Sequence, residues 1–120
     1  MIKSKYFSES EFKRCTPACS LQDMKQEFMT RMDRVRERAG IPLVINSAYR
    51  SVAYEKTKGR AGTSAHTLGL ALDIRCTSDR NRSLIIKALI LEGFTRIGVS
   101  KTFIHADTSQ GHTQQVTWLY

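Results

Sequence analysis

Ser64-Ala65-His66-Thr67-Leu68-Gly69-Leu70-Ala71-Leu72-Asp73-Ile74-Arg75 carries the clearest structural pattern in the chain. From Leu68 onward, large and small residues alternate. Leu68, Leu70, Leu72 and Ile74 share one face of an extended chain, and Gly69, Ala71, Asp73 and Arg75 share the other, because successive strand side chains point to opposite sides. The large face predicts a core contact. The small face ends in a carboxylate and leaves space above the sheet. A carboxylate in so apolar a strand is costly to bury unpaired, so Asp73 calls for a cation, either an arginine or a metal.

Working outward, Leu43-Val44-Ile45 reads as a buried strand upstream of this stretch. Residues from about Val52 to Lys58 predict a short helix, followed by a basic, glycine-containing loop from Lys58 to Ser64. Nearer the N-terminus, Ser8 with Glu11 three residues later has the pattern of a capping box. Pro17 ends that short helix. Ser20 then caps a longer helix from about Leu21 to Ala39, with a core stripe of Leu21, Met24, Phe28, Met32 and Val35. Its other side carries Lys25, Arg31, Arg34, Arg36 and Arg38, and Gly40 closes it ahead of Pro42. Downstream, Ser78-Asp79 opens a helix through Leu84, Ile85, Ala88, Leu89 and Leu91, closed by Gly93. Thr95 to Val99 and Thr102 to Asp107 read as a hairpin turning at Ser100-Lys101, with Val116 to Tyr120 as a last strand. Helices followed by closely spaced strands predict an α+β domain, with helices packed on one face of a small, mostly antiparallel sheet. Residues 1–120 are expected to form one such domain.

The formal net charge is +8, from 19 Lys+Arg against 11 Asp+Glu, which favours an anionic partner. Nucleic acid is not expected, because neither a helix-turn-helix signature nor an aromatic RNA-reading motif accompanies the arginines. No run of ~18 apolar residues is present, so membrane insertion is not expected. The residues from Met1 to Phe7 have no apolar segment of the secretory kind. The protein is therefore expected to be made in a cytoplasm, with delivery by another factor if its substrate lies outside. Cys15, Cys19 and Cys76 are an odd number, which argues against a complete disulfide framework, and reduced thiols are expected.

The histidines are His66, His105 and His112. His66 and Asp73 flank Gly69, where the segment can curl so that imidazole and carboxylate converge. In His105-Ala106-Asp107 both polar side chains share one strand face. His66, Asp73 and His105 together make three nitrogen and oxygen ligands with one position left open, the pattern of catalytic zinc. Such a metal polarises a carbonyl and makes water acidic enough to attack near neutral pH.

Ser64 to Asp73 resembles the SxHxxGxAxD motif of the zinc peptidases that cut D-amino-acid-containing peptides of bacterial cell wall. This is the D-alanyl-D-alanine carboxypeptidase and L-alanyl-D-glutamate endopeptidase family, whose fold is shared with the hedgehog signalling domain. Ser47-Ala48-Tyr49-Arg50-Ser51 resembles its SGYRS segment. Phe103-Ile104-His105-Ala106-Asp107 resembles the final histidine strand of a small HxD branch common in phages and prophages, and Trp118 is similar to that branch too. The resemblance runs from about residue 7 to residue 118.

It implies one zinc per chain on His66, Asp73 and His105. It also implies that Arg50 contacts substrate and steadies the developing oxyanion, a task suited to a planar, permanently charged guanidinium. The plainer role for Arg50 is as an ion-pair partner of Asp73. Ser64 is implied to touch substrate or hold the loop, and Trp118 either walls the cleft or sits in the core. Many relatives carry a glutamate just before the final histidine as general base. Here Val99, Ser100, Lys101 and Thr102 supply no carboxylate. Asp107 is the nearest in sequence, and two roles are open to it: general base, or orienting a ligand histidine. The implied function is hydrolysis of peptidoglycan stem peptides by a monomer acting on the cell wall. The alternative is a zinc-stabilised wall-binding module without turnover.

Overall fold

Ser8 opens the first helix, α1 (Glu9–Lys13), as its spacing to Glu11 predicts: its backbone N–H donates to Glu11 Oε2 at 2.7 Å. The computed structural model describes residues 1–120 throughout. Ser20 also caps, but what it caps is a single 3-10 turn, Leu21–Asp23, and the long helix α2 begins only at Gln26 and ends at Ala39. Two contacts explain the later start. Asp23 turns back to accept the Ser20 N–H at 2.9 Å, which completes the turn locally. Lys25 N–H then donates to the Gly69 carbonyl at 3.1 Å instead of to a helix carbonyl. Gly69 must be glycine here. It has a φ of +70°, and a Cβ would overlap the Asp23 carbonyl oxygen. The stretch from Ser64 to Arg75 is thereby locked onto the N-terminal segment.

The first strand, β1 (Ile45–Ser47), starts two residues later than expected; Val44 is exposed but still accepts the Arg75 N–H. Helix α3 (Val52–Thr57) follows, capped by Ser51 Oγ, which accepts from Tyr54 N–H at 3.0 Å. The alternation from Leu68 onward holds only in part. Ala65–Leu68 is a 3-10 turn closed by Gly69, Leu68 is exposed, and strand β2 runs Ala71–Arg75. Helix α4 (Asp79–Leu91) is capped by Ser78 and leads to β3 (Arg96–Val99), β4 (Phe103–Asp107) and β5 (Val116–Leu119).

The five strands form one sheet in the order β1-β2-β4-β3-β5, antiparallel except for the β3–β5 pair. The architecture is α+β, as expected. Phe28, Met32 and Val35 of α2 and Ile85 and Leu89 of α4 join Leu72, Ile74, Ile97, Ile104 and Ala106 in one core. Asp73 and His105 are paired directly across β2 and β4 and alternate with those core residues, so they point to the opposite face. All three cysteines are free, and no helix is long and apolar enough to cross a membrane.

Candidate metal centre

His66 sits in the 3-10 turn just before Gly69 and is buried. Its Nδ1 lies 2.6 Å from the Ala48 carbonyl oxygen. A carbonyl only accepts, so Nδ1 carries the hydrogen and the neutral ring keeps a lone pair on Nε2. That nitrogen is 3.3 Å from Asp73 Oδ1. His105 is held the other way round. Its Nε2 lies 2.6 Å from Asp107 Oδ2 and its Nδ1 lies 3.0 Å from Asp73 Oδ1. Burial pushes the Asp107 carboxyl up, but hydrogen bonds from His105 and Arg96 outweigh it and keep the group ionised below the usual carboxylate range. An ionised carboxylate also only accepts, which leaves the bare lone pair of neutral His105 on Nδ1.

Two bare imidazole nitrogens thus face one carboxylate oxygen, and acceptor repels acceptor. The cluster is satisfied either by protons on the rings or by a cation where the three atoms meet. In the protonated state, burial opposes charge on His105, yet Asp107 and Asp73 raise its pKa. Burial likewise pushes Asp73 up, while His105 and His66 hold it well below the usual carboxylate range. The cation alternative fits the geometry. Ligand atoms ~2.0–2.1 Å from a tetrahedral zinc stand about 3.4 Å apart, and the separations of 3.3 Å and 3.0 Å are of that size. One ligand atom from each of the three residues lies within 4.8 Å of the others.

Asp73 Oδ2 accepts from Arg50 Nη2 at 2.9 Å, so this carboxylate meets an arginine as well as the histidines. Arg50 also donates from Nε to Ser47 Oγ at 3.0 Å and from Nη1 to Glu55 Oε2 at 3.2 Å. Glu55 is wholly buried. Burial pushes its carboxyl up, and the neighbouring Ser64 and Arg50 more than offset this and hold it down. Glu55 Oε1 and Ser64 Oγ are each buried without a well-formed hydrogen bond. Asp107 is committed on both oxygens: Oδ2 to His105, and Oδ1 to Arg96 Nε at 2.8 Å and the Ser109 N–H at 3.1 Å.

The cluster opens into a cleft of about 470 Å³, which Arg50, Ser64 and Trp118 also line. Trp118 is half-buried and walls the cleft, its ring centroid 5.3 Å from that of His105. Gly98 makes room for the indole, since a Cβ there would stand 2.6 Å from Trp118 Nε1. A second groove, of about 560 Å³, meets the cleft at Asp73 and Phe103 and carries Arg14 and Arg75.

Every residue singled out from the sequence therefore lies at this one cleft. Glu55, Arg96 and His112 also line it and were not singled out as site residues. Glu55 offered one signal: it is the carboxylate nearest after Arg50 in the chain, on a helix that Ser51 starts.

A buried His/Asp/His cluster at the floor of an open cleft, on the free face of an α+β sheet, has the donor set of a metallohydrolase. The family model of Peptidase M15 matches residues 5–107, a span that includes all three cluster residues, and the chain belongs to that family. It is accordingly a metallopeptidase of a zinc-dependent family. No curated protein matches the chain.

Proposed function

We propose that this protein is a zinc peptidase that hydrolyses peptide bonds involving D-amino acids in bacterial peptidoglycan stem peptides, as a carboxypeptidase or an endopeptidase. The observation that carries the reading is the convergence of His66 Nε2, His105 Nδ1 and Asp73 Oδ1 beside an open cleft. Zinc bound there supplies a Lewis acid for the scissile carbonyl and lowers the pKa of water.

The remaining roles belong to the chain. Ala48 and Asp107 fix the tautomers of His66 and His105 through the ring nitrogens turned away from Asp73. Ser47, Glu55 and Asp73 hold Arg50 by three of its five N–H groups, and the other two remain for a substrate oxygen. The ion pairs around the site use Arg50 and Arg96, so Arg14, Arg60 and Arg75 line the cleft and groove without carboxylate partners. They suit a peptide rich in free carboxylates, as stem peptides are, and the net charge of +8 acts in the same direction. The resemblance of His105-Ala106-Asp107 to the HxD strand supports placing the chain in the small phage-type branch, and the same proposal has it act as a monomer that reaches the wall by release or delivery.

One observation favours the second reading, a zinc-stabilised wall-binding module. Both Asp107 oxygens are taken, and Glu55 is fully buried and ion-paired with Arg50, so neither is an exposed carboxylate base. Digestion of purified peptidoglycan, with mass spectrometry of the fragments, separates the two. Defined stem-peptide products identify the bond cut. Equimolar zinc with no cleavage favours the binding module.

A further inference from the structure

His112 lies in the loop between β4 and β5, seven positions beyond His105, and is one of the residues that line the metal cleft. The loop around it is braced on both sides. Arg96 donates to the Thr113 carbonyl at 2.6 Å while its Nε holds Asp107. The Gln114 side-chain amide donates to the carbonyls of Ser109 and His112 at 2.8 Å and 2.9 Å, and its oxygen accepts from Thr95 Oγ1 at 2.7 Å. These bonds hold the loop backbone, and Ser109 Oγ holds the ring itself.

Its chemistry is set by Ser109. Ser109 is fully buried, and its hydroxyl lies 2.7 Å from His112 Nδ1, its one hydrogen-bond partner. If Nδ1–H donated, the buried hydroxyl hydrogen would have no acceptor, which is costly. Ser109 Oγ–H therefore donates to Nδ1, and the neutral ring carries its hydrogen on Nε2. An imidazolium would carry a hydrogen there as well. In both charge states Nε2 is a donor.

We propose that His112 is a further catalytic residue, whose Nε2–H donates to the oxygen that gains negative charge when the scissile carbonyl is attacked. This rests on the peptidase reading. The cleft has use for such a donor, because three of the Arg50 N–H groups are already engaged. A donor placed where charge develops acts on the transition state more than on the ground state.

Two measurements test it. Long-range proton–nitrogen spectra of the metal-free protein should show His112 as the Nε2–H tautomer, with Ser109→Ala shifting the ring toward a mixture. With a stem peptide and zinc, His112→Ala should lower kcat by about 10²–10³ at near-constant KM and unchanged zinc content, and His112→Gln should recover part of the loss. An Nδ1–H tautomer, or an unaltered kcat in His112→Ala, overturns the proposal. A wild-type protein that binds zinc but cleaves no stem peptide overturns the peptidase reading instead, and the catalytic role of His112 falls with it; the spectra then decide only whether Nε2 is a donor.

Discussion

Replacing Asp107 by asparagine should cost metal affinity first and turnover second. In the structure, Asp107 Oδ1 serves two donors, Arg96 Nε and the Ser109 N–H, while Oδ2 serves His105 Nε2. An asparagine has one oxygen, and the side with two donors claims it. The new NH₂ group then faces His105 Nε2, which must accept, so the ring hydrogen moves to Nδ1. That nitrogen is the one aimed at Asp73 Oδ1, 3.0 Å away, and a protonated nitrogen cannot bind metal. Loss of a hydrogen-bonded partner behind a ligand histidine costs about 10–100-fold in affinity, or about 1.4–2.7 kcal/mol. Competition with a chromophoric chelator reads the zinc affinity directly, and kcat should be compared at saturating zinc. If Asp107 orients His105, Asp107→Asn shows the affinity loss, and excess zinc restores much of the activity. If affinity is unchanged while kcat collapses by 10²-fold or more, as expected for loss of a general base, the orienting role is refuted.

Other consequences follow from the same geometry. In metal-free protein, the contribution of His105 to stability is complete below its ordinary pKa of 6.5 and is lost as pH rises through its raised folded value. The contributions of Asp73 and Asp107 are present above their ordinary value of 3.8 and are lost as pH falls through their lowered ones. Thermal melts with a chelator should therefore decline on both sides of a mildly acidic maximum, whereas zinc should stabilise more strongly as pH rises and protons stop competing; superimposable profiles would contradict this. Gly69→Ala should destabilise by at least about 1–2 kcal/mol from its left-handed backbone alone, and by more because of the Asp23 carbonyl, as read by urea denaturation. Arg75→Glu should raise KM for an anionic stem peptide, most at low salt, while kcat stays constant; an unaltered KM would remove the second groove from substrate binding.

The cluster residues were legible in the sequence because their chemistry is local. A carboxylate in an apolar strand, a histidine one turn upstream and a histidine on a facing strand announce themselves by type and spacing. The α+β architecture was legible from capped helices and short strands in order. The start of α2 was not, since Ser20 looks the same ahead of one turn or five; the first turn stops at Asp23, and the Lys25 N–H pairs with the carbonyl of Gly69, far away in sequence, instead of continuing a helix. Leu68 kept the alternation on paper, but the αL glycine after it ends a turn before the strand begins. Glu55 and His112 were missed for another reason. A carboxylate on a short helix and a histidine in a polar loop read as ordinary surface residues until the fold sets one against Arg50 and the other in the cleft wall. The two roles left open for Asp107 also depended on tertiary partners, Arg96 and the Ser109 N–H.

His66, Asp73 and His105 converge as the proposed zinc site. Metal analysis of the purified protein, alongside His66→Ala and Asp73→Ala, tests it most directly. About one zinc per chain is expected in the wild type, with its loss in both variants. Wild-type protein that takes up no zinc, and whose melting neither zinc nor a chelator alters, would contradict it.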